Sequence, residues 1–347
     1  MKKGNGKYTK ALILGIGFVV LGIGFCFVSG LSGCGSGKSP APITSYMSEK
    51  REIIIAGHMP YSKVKINNSE GYFLIDYGTT DTRIDTNAFP VNDRPKRVPG
   101  TPYQFDSFQF FDTIKNPTIY INDYSNIKNL GSIKQAGIIG TDFLSTHIFM
   151  LDYEGKAIYK ANPNTFCPDS ILYKEGYRAA STKGYFSNDR KKLLNDSAVN
   201  VPTVRISIGN AEAEAQIDPG FDSGQGIPVI LVNQALFDAM IAHGTVLTRV
   251  PKADGIWTTC VPGVTQKIEA YSAGAASWMA ILGADGNPVV VLPEIRIYLK
   301  KTPTAVQICG GIGIWETPAA QIGSSFLISR KKVIFDPFKS QVWFYTK

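Results

Sequence analysis

Two aspartates at equivalent places in an internal repeat are the residues of this chain best placed to do chemistry. Residues 59–78 (MPYSKVKINNSEGYFLIDYG) align without a gap to residues 201–220 (VPTVRISIGNAEAEAQIDPG), so that Asp76 matches Asp218. Each aspartate follows an apolar run and is followed, two residues later, by a glycine. A glycine at that position permits a tight turn and a close approach of another group to the backbone.

Two carboxyl groups brought together could divide the work of amide hydrolysis between them. Neighbouring carboxylates do not both ionise readily, so one keeps its proton while the other stays charged. The charged group can take a proton from water, and the neutral group can polarise a carbonyl and later protonate the leaving nitrogen. Asp76 and Asp218 therefore predict hydrolysis of a peptide bond by water alone, and no metal or other cofactor is expected.

The segments that lead into the two aspartates have the pattern of β-hairpins. Residues 64–66 alternate apolar and polar side chains, as expected of a half-buried strand. Residues 67–71 and 209–210 have the Asn, Ser and Gly content of turns. A second apolar strand, at residues 72–75 or 213–217, then runs directly into the aspartate. Each aspartate is therefore expected at the end of a buried strand.

A second repeated element follows each hairpin along the chain. Residues 138–144 (IIGTDFL) match residues 321–327 (QIGSSFL), and each copy is followed by a strand that ends in an aspartate, Asp152 or Asp336. Two repeated elements in the same order predict two homologous halves. Apolar β patterning dominates both of them, so the predicted fold is mainly β, with two β-barrel-like lobes related by a pseudo-twofold axis.

The repeats divide the chain into five predicted segments. Helical signal within them is sparse and is strongest at Gly140–Ser145 and Asn233–Ala242. The segments are a lipoprotein signal peptide (1–33), a tether (34–52), an N-terminal lobe (53–165), a connector (166–199) and a C-terminal lobe (200–347).

The paired motifs resemble those of the aspartic peptidases, specifically the bilobed, retropepsin-like proteins of bacteria. The resemblance covers most of residues 53–347. Its motifs are residues 73–80 (FLIDYGTT) and 215–222 (AQIDPGFD), together with the apolar-apolar-Gly elements at 138–140 and, imperfectly, at 321–323. The resemblance implies an acid-protease fold, in which this later strand threads the loop of the first motif and supports the catalytic aspartate.

The resemblance also implies roles for individual residues. Residues Pro99–Phe111 would form a hairpin flap over the cleft, and Trp257–Leu282 would form a larger insertion in the second lobe. The substrate would be a peptide or a protein. The implied catalytic pair is Asp76 and Asp218, and the implied substrate contacts are Gly78, Thr79, Gly220 and Tyr103.

The residue after each aspartate departs from the family pattern. The family has Thr or Ser there, and its hydroxyl takes part in a hydrogen-bonded grip across the twofold axis. This chain has Tyr77, which is too long for that geometry, and Pro219, which has neither a hydroxyl nor an N–H to donate. A further acid, Asp222, could place a third carboxylate near the pair.

Three interpretations of function therefore remain open from the sequence. The first is an active aspartic endopeptidase that uses Asp76 and Asp218. The second is a peptidase fold without peptidase activity that binds peptides or proteins. The third is an unrelated β-sandwich or barrel, in which the two carboxyl groups would lie far apart.

The N-terminus has the features of a bacterial export signal. Four lysines precede the apolar run from Ala11 to Leu31, as a positive n-region precedes an h-region. Residues 31–34 (LSGC) resemble the lipoprotein box, in which Cys34 would be lipidated after cleavage. The alternative is an uncleaved signal anchor, since a run of about 20 residues can span a bilayer. Both alternatives place the chain in the cell envelope, facing the periplasm or the exterior, and the first anchors it to the membrane by lipid.

Net charge and cysteine content bear on possible nucleic-acid partners, metal sites and disulfides. The net charge is +8, and four of those charges precede Cys34 without a balancing acid, so the rest of the chain carries only +4. There is no basic run with interleaved aromatic residues, so nucleic acid is not an expected partner. No Cys/His spacing typical of a metal site is present. Cys260 and Cys309 could form a disulfide, or these two and Cys167 could all be reduced.

Overall fold

A computed structural model of the protein describes part of the chain, and three sequence predictions fall outside that part. The predicted signal peptide, Cys34 and Cys260 lie outside the described residues, so lipidation and the Cys260–Cys309 disulfide stay predictions. Among the described residues, no helix is long and apolar enough to cross a bilayer, and Cys167 is a buried free thiol. The structure describes residues 42–89, 100–125, 127, 130–131, 133–187, 199–222, 227–259, 261, 263–274 and 277–347.

The described chain is mainly β. In the first half of the chain the strands are β1 (Glu49–Glu52), β2 (Ile54–Ala56), β3 (Met59–Ile66), β4 (Ser69–Ile75), β5 (Arg83–Ile84), β6 (Pro102–Gln104), β7 (Ser107–Gln109), β8 (Thr113–Lys115), β9 (Thr118–Ile121), β10 (Gln135–Ile139), β11 (Ile148–Asp152) and β12 (Ala157–Ala161). In the second half they are β13 (Tyr177–Ser181), β14 (Thr203–Ile208), β15 (Ala211–Ile217), β16 (Val229–Asn233), β17 (Leu247–Arg249), β18 (Gly255–Thr258), β19 (Thr265–Ala273), β20 (Met279–Leu282), β21 (Pro288–Leu292), β22 (Arg296–Lys300), β23 (Ala319–Ile322), β24 (Lys332–Asp336) and β25 (Gln341–Tyr345).

Helices are short and few in the described residues. The expected helix at Asn233–Ala242 is present and begins with the Asn233 side chain accepting a hydrogen bond from the Leu236 N–H at 2.9 Å, as an N-cap does. The α-helices are α1 (Thr141–Leu144), α2 (Asp169–Glu175), α3 (Gln234–Ala242) and α4 (Ser324–Ser329). The 3₁₀ turns are Ile43–Tyr46, Thr86–Ala88, Pro251–Ala253, Thr304–Cys309 and Ile312–Ile314.

The strands form three sheets. The six-stranded sheet has the order β1-β12-β11-β24-β25-β13. The nine-stranded sheet has the order β6-β9-β5-β10-β4-β3-β7-β8, with β2 paired to β3. The ten-stranded sheet has the order β17-β19-β22-β16-β23-β15-β14-β20-β21, with β18 paired to β19.

The two larger sheets contain the same strand pairings in the same chain order. The predicted hairpins are present as β3–β4 and β14–β15. Strand β10 runs parallel to β4, and β23 runs parallel to β15. Strand β5 is antiparallel to β10 and parallel to β9, as β16 is antiparallel to β23 and parallel to β22. In each sheet, the strand that ends at an aspartate therefore has a later parallel strand beside it.

Both larger sheets must curl. Only Phe105 and Asp106 separate β6 from β7, yet these strands lie toward opposite edges of the nine-stranded sheet. Five residues separate β19 from β20, which likewise lie toward opposite edges of the ten-stranded sheet. A chain can connect opposite sides of a sheet in so few residues only if the sheet bends round on itself.

The six-stranded sheet joins the two halves of the chain. Its central pair is β11 with β24, in which Phe149 lies opposite Phe335. The main hydrophobic core likewise contains residues of all three sheets, among them Phe73, Phe149 and Ile217. The halves therefore share buried surface and do not form separate cores.

The folded chain begins before the predicted boundary at residue 53. Ile43 is buried in a cluster that contains Trp343, and β1 pairs with β12. The end of the predicted tether, residues 42–52, is therefore part of the fold. The predicted connector 166–199 is also partly folded, because it contains α2 and β13, and β13 pairs with β25.

The predicted flap also has a different structure. Most of Pro99–Phe111 forms β6, β7 and the residues beside them, and Tyr103 packs edge-to-face on Phe105 at 4.8 Å between ring centroids. The segment supplies four aromatic rings to the core, one from β7 and three from the residues beside the strands. The rings are those of Phe105, Phe108, Phe110 and Phe111.

We predict that Ile43→Ala lowers the free energy of unfolding by about 2–4 kcal/mol, because it leaves a cavity beside Trp343. The measurement is denaturant unfolding followed by tryptophan fluorescence. Thr44→Ala is the matched control, since Thr44 is exposed. Equal stability of the two variants would show that residues 42–52 are a tether after all.

Candidate active site

Parallel neighbouring strands hold both aspartates at the ends of β4 and β15. The Asp76 N–H donates to the Ile139 carbonyl at 3.1 Å, and the Asp218 N–H donates to the Ile322 carbonyl at 2.9 Å. Ile139 and Ile322 belong to β10 and β23, the second repeated element of the sequence. Each strand therefore fixes the backbone of the aspartate beside it, and the same bond occurs in both halves.

The turn after each aspartate folds back onto its own carboxyl group. The Gly78 N–H donates to Asp76 Oδ1 at 2.7 Å, and the Gly220 N–H donates to Asp218 Oδ1 at 2.7 Å. The backbone N–H of Thr79 also stabilises the charged form of Asp76. These donors are backbone groups, so they survive the changes of side chain after each aspartate.

The two turns meet, and each carboxyl group packs on the glycine of the other turn. A Cβ added to Gly78 would lie 2.4 Å from the carboxyl carbon of Asp218. A Cβ added to Gly220 would lie 2.6 Å from the carboxyl carbon of Asp76. The two carboxyl groups are also hydrogen-bonded to each other. The structure thus brings together the predicted pair, and the interpretation that placed the carboxyls far apart is wrong.

Burial makes the pair difficult to ionise. Asp76 and Asp218 are only 9% and 7% exposed. Burial raises the pKa of both carboxyls above the ordinary value, and the negative charge of Asp218 raises the pKa of Asp76 further. A buried pair of this kind retains a proton at pH values where exposed carboxyls have lost theirs.

The surroundings of the two carboxyls differ. The Gln321 side-chain amide donates to Asp218 Oδ2, and the positive charge of Lys300 lowers the pKa of Asp218 against the effect of burial. Neither residue acts on Asp76 in this way. The negative charge is therefore better accommodated on Asp218, and the proton on Asp76.

Tyr77 does not take part in a hydrogen-bonded grip. Its ring is fully buried and stacks on Phe335 at 3.7 Å between centroids, with 8° between the ring planes. Tyr185 packs edge-on against the Tyr77 ring, with 5.3 Å between the ring centroids. The Tyr77 hydroxyl makes no well-formed hydrogen bond to the described residues. The first turn is therefore anchored by aromatic packing against a strand of the second half.

Asp222 is held by a histidine. His58 Nδ1 lies 2.5 Å from Asp222 Oδ2, and the Asp222 side chain is only 1% exposed. His58 precedes β3, and Asp222 follows the Asp218 turn, so the pair connects the two halves beside the site. Sequence patterns did not identify His58, because its partner lies in the other half of the chain.

Gln321 was also missed as a site residue, although the sequence carried a signal for it. It takes the place of Ile138 when the two repeats are aligned, so a polar side chain replaces an apolar one. Its amide then reaches Asp218. A polar substitution in one copy of an otherwise apolar repeat element is a useful indicator of a site residue.

The predicted substrate contacts do not all lie at the carboxyl pair. Gly78 and Gly220 lie against the carboxyls, and the Thr79 carbonyl accepts the Thr141 N–H at 3.0 Å. Tyr103 lies in β6, which β10, β5 and β9 separate from β4 in the sheet. Within the residues that the structure covers, no three His, Cys, Asp or Glu side chains are grouped to hold a metal ion.

Comparison with known proteins does not add to this geometry. No protein-family model matches the chain, and no curated protein matches it in sequence. Function must therefore be inferred from the residues and their contacts.

We predict that Gly78→Ala and Gly220→Ala each destabilise the fold by roughly 1–3 kcal/mol, because the new methyl group would overlap the opposite carboxyl. Chemical denaturation measures the change. Gly274→Ala is the matched control, since a Cβ there would be 3.7 Å from its nearest neighbour. Variants of Gly78 and Gly220 as stable as the control would contradict the contact between the two turns.

We predict that the wild-type protein loses stability relative to the Asp76→Asn variant as the pH rises above 3.8, the ordinary pKa of an aspartate carboxyl. The folded pair keeps its proton while the unfolded chain releases one, so the proton's contribution to stability is present at low pH and lost at higher pH. Unfolding curves of both proteins over a pH series measure the difference. Asp106→Asn removes an exposed carboxyl and should track the wild-type protein. A constant difference between wild type and Asp76→Asn would mean that the pair titrates normally.

Proposed function

We propose that this chain is an aspartic endopeptidase with a two-lobed acid-protease fold, in which Asp76 and Asp218 activate a water molecule. The observation that carries the proposal is the reciprocal packing of each carboxyl on the glycine of the opposite turn. Two buried carboxyls that share a hydrogen bond and retain a proton are suited to attack on an amide by water.

The repeated strand pairings support two homologous lobes. Both larger sheets have a hairpin that ends at an aspartate, a later parallel strand beside it and a short helix after that strand, α1 or α4. Gly140 and Gly323, which precede these helices, have nearly identical backbone angles, with φ of −91° in both and ψ of −178° and −179°. A pseudo-twofold axis between the two turns would relate these elements.

The asymmetry of the pair assigns the two roles. Asp218, whose charge Gln321 and Lys300 favour, takes a proton from water as the water oxygen bonds to the carbonyl carbon. Asp76 gives its proton to the carbonyl oxygen, which produces a neutral diol. Asp218 then protonates the amide nitrogen and the C–N bond breaks, while a diol hydroxyl returns a proton to Asp76. Both groups regain their starting states.

The proposed location follows from the N-terminal sequence. Residues 1–33 would direct export, and lipid on Cys34 would hold the protein at the bacterial envelope, facing the periplasm or the exterior. Only a short segment separates Cys34 from residue 42, where the described fold begins. The peptidase would therefore act close to the membrane surface on peptides or unfolded proteins.

One observation favours a second function, binding of peptides without cleavage. The Gln321 amide already occupies an oxygen of Asp218, and an attacking water would need access to that carboxylate. If water cannot displace the amide, the same site would bind an extended peptide and release it intact.

The test is cleavage of a mixed library of unstructured peptides by the full-length chain in mild detergent, from about pH 3 to 7, read by mass spectrometry. We expect cleavage to fall toward the low end of this range, where both carboxyls are protonated, because the pair must carry one proton and burial raises both pKa values. Asp76→Asn and Asp218→Asn should each abolish cleavage, with a loss of at least about a thousandfold.

Asp106→Asn, which removes an exposed carboxyl, is the matched control and should cleave like the wild-type protein. Cleavage that persists in both Asp76→Asn and Asp218→Asn would point to a contaminating peptidase. A folded wild-type protein that binds peptides but cleaves none at any pH would establish the second function instead.

A further inference from the structure

Lys300 is a partly buried lysine near the proposed catalytic pair, and no described carboxylate pairs with it directly. It is the last residue of β22. Burial lowers the pKa of Lys300, and the nearby charge of Asp218 partly restores it. Removing an ammonium group from water without a direct counter-ion is unfavourable. An anionic ligand would relieve that cost.

A glycine-rich loop lies across the Lys300 side chain. A Cβ added to Gly313 would be 3.1 Å from Cδ and Cε of Lys300, and one added to Gly311 would be 3.7 Å from Nζ. The loop has no side chain at either position, so its backbone can approach the lysine closely. It then leads into β23, which carries Gln321. The Lys300 side chain therefore lies against the backbone of this loop.

Aromatic side chains connect the Asp218 turn to the strand that carries Lys300. Phe221, three residues after Asp218, meets Trp257 at 5.2 Å between ring centroids, and Trp257 meets Tyr298 at 5.7 Å. Tyr298 and Lys300 are two residues apart on β22, so they point to the same face of the sheet. This face therefore combines flat apolar rings with one positive charge.

The equivalent face of the first half has a different character. An apolar cluster that contains Leu74 and Leu130, with Met59 and Ile138 packed against it, covers part of this face. Arg83, which lies opposite Ile138 in the sheet, stands beside that cluster. Ile138 is the counterpart of Gln321 in the repeat.

We propose that Lys300 is a specificity-determining residue that binds a carboxylate of the peptide substrate on the Asp218 side of the scissile bond. This inference rests on the proposed function, because it needs a peptide bound at the carboxyl pair. A single ammonium on a flexible stem suits a single carboxylate better than a phosphate, which usually recruits several donors or a guanidinium fork. The carboxylate could belong to an Asp or Glu side chain or to the C-terminus of a short peptide.

The experiment compares peptides that differ in one carboxylate. In one series a Glu is moved position by position across a cleaved sequence, each peptide having a Gln counterpart. In the other series, peptides end in a free carboxylate or an amide at increasing distance from the scissile bond. Cleavage by the full-length protein gives kcat/KM, and fluorescence anisotropy with the Asp76→Asn variant gives Kd without turnover.

We expect a preference for the carboxylate of at least about tenfold at one position, as for a hydrogen bond to a charged group. The preference should disappear in Lys300→Met and reverse toward Lys-containing peptides in Lys300→Glu. Lys301→Met is the matched control. Lys301 is exposed and pairs with Glu269 at 3.4 Å, so its loss should leave the preference intact. The series that shows the effect identifies the source of the carboxylate.

The outcomes separate this inference from the peptidase proposal. Cleavage without any carboxylate preference, or with a preference that survives Lys300→Met, overturns the role of Lys300 and leaves the peptidase standing. Absence of cleavage together with Lys300-dependent binding of carboxylate peptides overturns the peptidase and supports the role of Lys300. Peptides that bind with equal Kd to the wild-type and Lys300→Met proteins, in the absence of cleavage, contradict both.

Discussion

The contact between each carboxyl group and the glycine of the opposite turn is the constraint on which the rest of this structure depends. A side chain at Gly78 or Gly220 would occupy the space of a carboxyl, so the two turns can meet only through bare backbone. Bringing them together requires two strands that end at the same point. The parallel strands beside β4 and β15, and the six-stranded sheet that joins the halves, meet this requirement.

Burying two acids there is unfavourable, and the structure offsets the cost mostly with backbone groups. The N–H groups of Gly78 and Gly220 each satisfy one carboxylate oxygen at 2.7 Å. Because backbone donors do this work, the residue after each aspartate is free to change. Tyr77 stacks on Phe335, so apolar packing holds the first turn.

The polar surroundings of the pair come chiefly from the second half of the chain. Gln321 and Lys300 favour charge on Asp218, and His58 reaches across from the first half to Asp222. A site assembled from two similar halves would otherwise treat its carboxyls alike. These few side chains make the surroundings of the two carboxyls unequal.

Local patterns in the sequence predicted the β-hairpins, the helix at Asn233–Ala242 and the equivalence of Asp76 with Asp218, because alternation, capping and turn chemistry act over a few residues. Contacts between distant residues decided the remainder. The pairing of β1 with β12, the burial of Phe108, the stacking of Tyr77 and the approach of Lys300 to the site each join parts of the chain that no local pattern links. Such contacts form only when distant strands pair and the sheets pack together, and so the tertiary structure determined them.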